Sequence, residues 1–219
     1  VKRPLVDRQL RPDLAILDEN LLQELPKKLI AEAGFDVLSH ALEAYVARGS
    51  GSISDLYARE AFGSAYASLP ASYAGNRNVR LKVHLAATMA GLAFTQAGLG
   101  LCHAMSHALG GMFHVSHGRL NAILLPAVVS YNARFAGEKY ARLAGQAGWG
   151  SSAQTLAVRN LKNGLIRLRR ELGLPQSLAQ AGVLPQQVRS QSKALIGAVL
   201  EDSCCATNPG PVNQTVVAQ

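Results

Sequence analysis

Four of the six histidines in this sequence fall within one 15-residue stretch, at a spacing that suits metal binding. They are His103, His107, His114 and His117. On a helix, His103 and His107 share a face, because residues four apart are neighbours there. His117 follows the pair Gly110–Gly111, at which we expect the helix to break and the chain to fold back toward the same face. The stretch therefore predicts a cluster of imidazoles.

Upstream, Asp36 and His40 form a second pair four residues apart, and both lie among apolar residues. A buried carboxylate and a buried group of imidazoles are each costly unless something compensates them. A divalent cation held by one carboxylate and three imidazoles would compensate both. Such nitrogen and oxygen ligands suit Fe(II), Zn(II) or Co(II) better than Mg(II) or Ca(II). The four candidate metal ligands are Asp36, His40, His103 and His117.

Several of the polar residues in this sequence also have a structural interpretation that needs no metal. Asp36 can cap a helix behind Gly34. His84 and His114 are interpreted as hydrogen-bonded core residues, since a single histidine on an apolar helix face usually has that role. The adjacent Cys204 and Cys205 lack the spacing of metal ligands and are interpreted as packing residues. The spacing alone leaves both the metal site and these alternatives open.

Other familiar metal-binding and catalytic motifs do not occur in the 219 residues. There is no His-Glu-x-x-His, which excludes the zincin arrangement. The absence of a His-Asp doublet argues against helical metal phosphohydrolases, and the absence of Glu-x-x-His leaves a di-iron four-helix bundle unsupported. A nucleophile elbow, a P-loop and a G-x-G-x-x-G motif are absent as well.

The apolar spacing beyond Asp18 is helical almost throughout, which predicts an all-α body to hold these side chains. Residues 4–17 differ, because two short apolar runs broken by prolines predict an extended arm. Asp18 is expected to cap a short helix over 19–24, and Pro26 to be the first residue of the next helix. The predicted helices span 26–48, 54–74, 78–97, 102–111, 119–135, 137–146, 152–172 and 186–206.

The net charge of +8, from 22 basic and 14 acidic residues, raises the question of nucleic-acid binding. The basic residues are scattered, and the densest group alternates with apolar residues at helical spacing, which predicts a solvated helix face. Proteins that bind single-stranded nucleic acid usually have a series of aromatic residues on which bases stack, and no such series accompanies this group. We therefore expect no nucleic-acid partner. The group consists of Arg159, Lys162, Arg167, Arg169 and Arg170.

Residues 85–118 contain no Lys, Arg, Asp or Glu, which raises the question of a membrane span. Polar residues, histidines and glycines interrupt this stretch, whereas a spanning helix needs about 20 mostly apolar residues in a row. We expect a buried helical hairpin and no membrane partner. No signal peptide is recognisable, and three cysteines are too few for a disulfide framework, so an intracellular, cytoplasmic location is expected.

Two long segments of the sequence resemble the signatures of one enzyme family. Residues 34–46, GFDVLSHALEAYV, resemble the first signature of the iron-containing (group III) alcohol dehydrogenases. Residues 98–121, followed by Leu125-Pro126, resemble the second and longer signature. Shorter matches occur in order along the whole chain, at Ser54-Asp55, Ala90–Phe94, Tyr131-Asn132 and Thr207–Pro209.

The resemblance implies a dehydroquinate synthase-like enzyme with an α/β NAD-binding domain followed by an all-helical metal domain. It places the Fe(2+) ligands, which also accept Zn(2+), on Asp36, His40, His103 and His117. His107 matches an additional family histidine beside the nicotinamide and substrate, with a catalytic and cofactor-binding role. The implied reaction interconverts a primary alcohol and its aldehyde with NAD(H), the metal polarising the substrate oxygen.

The residues around His103 resemble most those of the primary-alcohol dehydrogenases of ethanolamine and propanediol utilisation. This resemblance implies a location within a bacterial microcompartment. The sequence departs from the family at Gly210, where the motif Asn-Pro-Arg has its arginine. The family's glycine-rich pyrophosphate loop also does not occur in these residues. We therefore expect residues 1–18 to be a remnant of the NAD-binding domain and 19–219 to be the helical metal-binding domain.

Taken alone, the chain is expected to bind metal and to be inactive, because the dinucleotide loop is absent. A homo-oligomer is expected. The alternative from another functional class is a non-catalytic metal-binding or interaction module derived from the same family.

Overall fold

The computed structural model describes residues 7–10 and 12–218, and every regular element among them is helical. The α-helices are α1 (Lys27–Val46), α2 (Ser52–Ala74), α3 (Arg80–Ala97), α4 (Leu101–Phe113), α5 (His117–Gln146), α6 (Gln154–Glu171), α7 (Pro185–Ser190), α8 (Ser192–Leu200) and α9 (Gln214–Ala218). Four 3₁₀ turns occupy Arg8–Leu10, Glu19–Leu22, Arg77–Val79 and Ser203–Thr207. The all-α fold predicted from the sequence is confirmed.

Helix α1 is the centre of the fold and packs against α2, α3 and α5. Most of its length is buried, since its apolar residues surround the helix instead of forming one stripe. Phe35, Leu38, Leu42 and Tyr45 are among its fully buried side chains. A helix enclosed on all sides gives its few polar residues a fixed and largely dry environment.

The chain reverses between α4 and α5 at His114, which has a left-handed backbone with φ 55°. Its backbone N–H donates to the carbonyl of Gly110 and ends α4. The predicted break at Gly110–Gly111 was therefore placed too early, because both glycines remain helical. His114 is exposed, so its interpretation as a core residue was wrong, and His84 is only half-buried.

In two places the structure divides the chain into helices differently from the prediction, whereas the other predicted bounds lie within two residues of the observed ones. The predicted helices 119–135 and 137–146 are both parts of α5, which has a kink at Ala136, with φ −134° and ψ 24°. The predicted helix 186–206 is wrong, because that segment divides into α7, α8 and a 3₁₀ turn. Asp202 has an extended backbone, and its carboxylate caps the turn by accepting from the backbone N–H of Cys204. Aspartate favours such local bonds over a continuous helix.

The amino-terminal arm has no strand among its described residues, and residues 1–6 and 11 lie outside the described part. Residues 8–10 form a 3₁₀ turn and 12–18 have no regular structure. Asp18 caps the next element as predicted, accepting from the Asn20 backbone N–H at 2.9 Å. That element is a four-residue 3₁₀ turn instead of the predicted helix over 19–24, and Pro26 directly precedes α1.

The basic group on α6 is only partly the solvated face that its spacing predicts. Arg159, Arg167 and Arg170 are exposed. Arg169 is buried, and its guanidinium donates to the backbone carbonyls of Ala122 and Ile123 on α5. Arg169 thus joins two helices and is not available to a phosphate backbone.

Within the described residues, no single helix has the length and apolar composition needed to cross a membrane. One bent pair, Arg77–Ala97 with Leu101–Phe113, passes that test of length and composition together and is bent by 105°.

Candidate metal centre

The four predicted metal ligands come together where α1, α4 and α5 meet. Asp36 and His40 lie on α1, His103 on α4 and His117 at the first residue of α5. The Oδ1 atom of Asp36 lies 3.7 Å from Nε2 of His103 and 3.6 Å from Nε2 of His117. Its Oδ2 atom lies 3.8 Å from Nδ1 of His40. One ligand atom from each residue lies within 4.8 Å of all the others.

These separations suit atoms that share one ion. Ligand atoms about 2.0–2.2 Å from a common metal in tetrahedral geometry lie roughly 3.3–3.6 Å from one another. The atoms of this centre are slightly farther apart and close to that spacing. A carboxylate oxygen with three imidazole nitrogens therefore fits a borderline divalent cation such as Fe(II) or Zn(II).

The ring of His40 is held by stacking with two other rings. Its centroid lies 4.7 Å from that of Phe94 on α3 and 4.5 Å from that of His103, with interplanar angles of 27° and 26°. Stacking of this kind holds the ring plane without using a ring nitrogen. The nitrogens of His40 therefore remain available as ligand atoms.

Glu43 orients the ring of His103 through a hydrogen bond to its Nδ1 atom. Its carboxylate is only 1% exposed and accepts the Nδ1–H of His103 at 2.6 Å. It also accepts the backbone N–H groups of Gly100, Cys102 and His103 at the start of α4. Because a carboxylate can only accept, Nδ1 carries a hydrogen, and the Nε2 atom of His103 faces Asp36, where it can bind a metal once its own proton is lost. Such carboxylate–histidine pairs orient metal ligands in many proteins.

The side-chain amide of Asn121 lies among the ligand atoms. Its Nδ2 is 2.6 Å from Oδ1 of Asp36, 3.3 Å from Nε2 of His103 and 3.1 Å from Nε2 of His117. Its Oδ1 accepts from the Ser106 hydroxyl at 2.5 Å, which sets the orientation of the amide. The amide nitrogen thus lies within 3.3 Å of one atom from each of three candidate ligands, so these three atoms converge on one point of the site.

The electrostatics of the centre favour an ionised carboxylate. Burial opposes ionisation of Asp36, but its hydrogen bond with His103 and the nearby imidazoles outweigh burial and hold its pKa well below the ordinary value. Burial lowers the pKa of His40 to about 4, which keeps that ring neutral and able to bind a metal. Burial also disfavours the charged form of His103, but its bonds to Asp36 and Glu43 raise its pKa to about 9.

The structure places His107 beside the four ligands without making it one of them. Its ring centroid lies 5.0 Å from that of His117 and 6.1 Å from that of His103. Its Nδ1 atom is 2.8 Å from Oδ2 of Asp202, which belongs to the segment after α8. This position agrees with the predicted role beside the reacting groups, which stays a prediction.

Three residues of the centre were not identified from the sequence: Glu43, Asn121 and Asp202. Glu43 is seven residues after Asp36 on α1, and Asn121 is four after His117 on α5, so helical spacing carried a usable signal for both. Asp202 is 95 residues from His107. No local pattern connects these two, and only the tertiary fold reveals their contact.

One carboxylate and three imidazoles, one of them fully buried and the others partly buried, meet where three helices join, which defines a helical domain with a candidate metal site. Residues 30–219 match the family model described as the C-terminal part of the Fe-containing alcohol dehydrogenase family. The chain belongs to this family, as its two signature-like segments predicted.

Curated relatives and solved structures give the same result. The chain is 35% identical over 214 residues to an NADPH-dependent butanol dehydrogenase of Clostridium saccharobutylicum, covering 98% of this chain and 55% of the relative. It is 39% identical to the 1-propanol dehydrogenase PduQ of Salmonella typhimurium, covering 100% and 61%. The fold matches an iron-containing alcohol dehydrogenase from Thermococcus thioreducens with a TM-score of 0.88 at 33% identity, covering 97% and 55%.

The chain spans little more than half the length of these relatives. The propanol dehydrogenase among them agrees with the predicted likeness to propanediol-utilisation enzymes. The predicted link to ethanolamine utilisation stays a prediction.

Proposed function

We propose that these residues form the metal-binding part of an iron-dependent alcohol dehydrogenase that interconverts a primary alcohol and its aldehyde with NAD(H). The observation that carries the proposal is the convergence of Asp36, His40, His103 and His117 to within 4.8 Å. Membership of the iron-containing family supports the choice of Fe(II). The butanol and propanol dehydrogenases among the relatives support the substrate class.

In the proposed reaction the four ligands hold Fe(II), which when bound supplies a Lewis acid for the oxygen of the alcohol or aldehyde. Asp36 contributes the negative charge that binds the cation. Glu43 keeps the Nε2 atom of His103 directed at the centre. Stacking with the rings of Phe94 and His103 fixes the orientation of the His40 ring.

His107 is the group proposed to move the proton. Its Nδ1 is engaged with Asp202, so Nε2 is the ring nitrogen that remains to accept the hydroxyl proton or return it. The side chain is 23% exposed, which connects the ring to solvent for proton exchange. An imidazole suits this role because it titrates near neutral pH.

The NAD-binding residues are proposed to lie outside these 219 residues. The sequence contains no glycine-rich dinucleotide loop, and the relatives are nearly twice as long. We propose a cytoplasmic setting and association into a homo-oligomer for the complete enzyme.

The test is the metal content of the anaerobically purified chain. We expect about one Fe or Zn per chain in the wild type, none in the double variant Asp36→Ala, His103→Ala, and a normal content in His84→Ala, because His84 lies outside the centre. Elemental analysis with a protein assay gives the ratio. The same preparation is expected to show no NADH-linked turnover.

Three outcomes contradict parts of the proposal. If the wild-type chain binds no metal after reconstitution with Fe(II) or Zn(II), the proposed metal site is wrong. Equal metal content in the wild type and the double variant shows that the bound metal lies elsewhere. Steady NADH-linked turnover by the isolated chain overturns the placement of the cofactor site outside it.

A further inference from the structure

His107 and Asp202 form a hydrogen-bonded pair at the edge of the metal centre. The Nδ1 atom of His107 lies 2.8 Å from Oδ2 of Asp202, and the Asp202 side chain is 9% exposed. Oδ1 of the same carboxylate accepts the backbone N–H of Cys204 at 2.9 Å. Each carboxylate oxygen thus has a separate partner. The bond to Cys204 fixes the carboxylate in position to receive the imidazole.

Asp202 is an acceptor at neutral pH. Burial opposes its ionisation, but hydrogen bonds from His107 and Cys204 outweigh burial and lower its pKa to about 2. An ionised carboxylate has no hydrogen to donate. A neutral imidazole has one N–H and one lone pair, so the nitrogen that faces the carboxylate must carry the hydrogen.

The pair does not form a second metal site, although Cys204 lies close enough to complete a three-residue cluster. Burial and the nearby carboxylate of Asp202 raise the pKa of the Cys204 thiol, which keeps it in the protonated form that binds metals poorly. The 2.8 Å between His107 and Asp202 is also a hydrogen-bond length and is shorter than the separation of two ligands around one ion.

We infer that Asp202 is a positioning residue that holds His107 in its Nδ1–H tautomer and leaves Nε2 as the proton-accepting atom. This inference rests on the proposed function for its catalytic meaning, while the tautomer itself is a property of the chain alone. The ring of His107 lies within 5.0 Å of the His117 ring, so its orientation decides which nitrogen is presented beside the ligands. A carboxylate that sets the tautomer of a proton-transferring histidine is also a known device of hydrolase triads.

The test is the tautomer of His107 in the metal-free chain, read from the ¹⁵N spectrum of histidine-labelled protein. Spectra are recorded as the pH is raised until each ring is neutral, and a His107→Gln sample assigns the signal. We expect a protonated Nδ1 and an unprotonated Nε2 in the wild type. In Asp202→Asn the amide oxygen can still cap Cys204, while the amide nitrogen donates to Nδ1. The variant is therefore expected to carry the hydrogen on Nε2.

Two results overturn the inference. The first is a wild-type His107 with the hydrogen on Nε2, which needs no variant and so remains decisive even if Asp202→Asn fails to fold. The second is an unchanged tautomer in a folded Asp202→Asn chain, with folding checked by circular dichroism.

In the complete NAD-linked enzyme, Asp202→Asn is expected to lower kcat by about 10²- to 10⁴-fold with unchanged metal content. A purely structural role would not move the tautomer. If the tautomer inverts but even the complete wild-type enzyme shows no turnover, the proposed function fails and the positioning role of Asp202 stands. If the tautomer inverts in Asp202→Asn but kcat of the complete variant enzyme is unchanged, the pair of His107 and Asp202 has no role in catalysis.

Discussion

Glu43 shows how a single buried residue organises the metal centre. Its charge is tolerated because four N–H groups donate to it, three from the backbone and one from His103. The backbone donors lie at the start of α4, where the helix dipole also favours negative charge. Gly100 makes this approach possible, since a Cβ there would lie 2.8 Å from Oε1 of Glu43. The same carboxylate thus accepts from the first turn of α4 and orients a candidate metal ligand.

Replacing Glu43 with Gln is expected to affect both stability and metal binding. The glutamine has one acceptor oxygen where the carboxylate has two, so buried donors lose their partners. The free energy of unfolding is expected to fall by about 2–3 kcal/mol. Metal affinity is expected to fall by about 10- to 100-fold, because His103 loses its orienting partner. Urea unfolding and competition with a metal chelator measure the two quantities.

Glu138→Gln is the matched control for Glu43→Gln. Glu138 pairs with Arg142 on the exposed face of α5, where an ion pair contributes little. We expect a change within about 0.5 kcal/mol and normal metal affinity. Equal effects of the two substitutions would contradict the role assigned to Glu43.

At the scale of elements, the close approach of α5 to α1 decides where His117 lies. Gly118 follows His117, and a Cβ on it would lie 2.1 Å from the backbone oxygen of Glu32 on α1. The side chain of Glu32 accepts from Ser116 at 2.7 Å and from Arg119 at 2.6 Å. These contacts bind the first turn of α5 to α1. His117 is therefore brought to Asp36 by the packing of two helices.

Gly118→Ala is expected to separate these two helices. The added methyl group meets a backbone atom that cannot move aside, so the free energy of unfolding should fall by about 1–3 kcal/mol. The displacement of His117 should also weaken metal binding. Thermal unfolding and metal titration of the variant test both effects.

Gly91→Ala on α3 provides the contrasting control. A Cβ at Gly91 meets no atom within 4 Å, and alanine is the better helix former. This variant is expected to gain up to about 1 kcal/mol of stability. If Gly118→Ala behaves in the same way, the close contact with Glu32 does not control the position of α5.

At the scale of the whole molecule, the amino-terminal arm leaves large apolar side chains in solvent. Leu10, Leu14 and Ile16 are 63%, 76% and 81% exposed. Several such residues close together in sequence are typical of a surface that another part of an assembly covers. The prediction that residues 1–18 are a remnant of the NAD-binding domain, whose removal would leave the arm exposed, stays a prediction.

The isolated chain is therefore expected to self-associate through the arm. The double variant Leu14→Ser, Ile16→Ser should reduce association at a given concentration without lowering the unfolding temperature, because neither residue is in the core. Sedimentation velocity over a range of concentrations measures the effect. Leu56→Ser, at an exposed position on α2, is the control and should leave association unchanged. A wild-type chain that stays monomeric throughout would contradict this expectation.

The helical class, most of the helix bounds and the four candidate ligands could be predicted from the amino-acid sequence. Helical periodicity is a local property, and pairs such as Asp36 with His40 lie on one helix face whatever the rest of the chain does. The prediction of helices failed where a side chain competes with the helix for backbone hydrogen bonds. At Asp202 the carboxylate accepts the backbone N–H of Cys204, and the predicted helix ends before it.

The residues that support those ligands became evident from the folded structure alone. Glu43 meets His103 across 60 positions of sequence, and Asp202 meets His107 across 95. Arg169, which the local pattern placed in solvent, is buried because α6 packs against α5. Contacts between distant segments depend on how helices pack, and packing depends on the shapes of all the side chains between them. No periodicity in the sequence encodes such a contact directly.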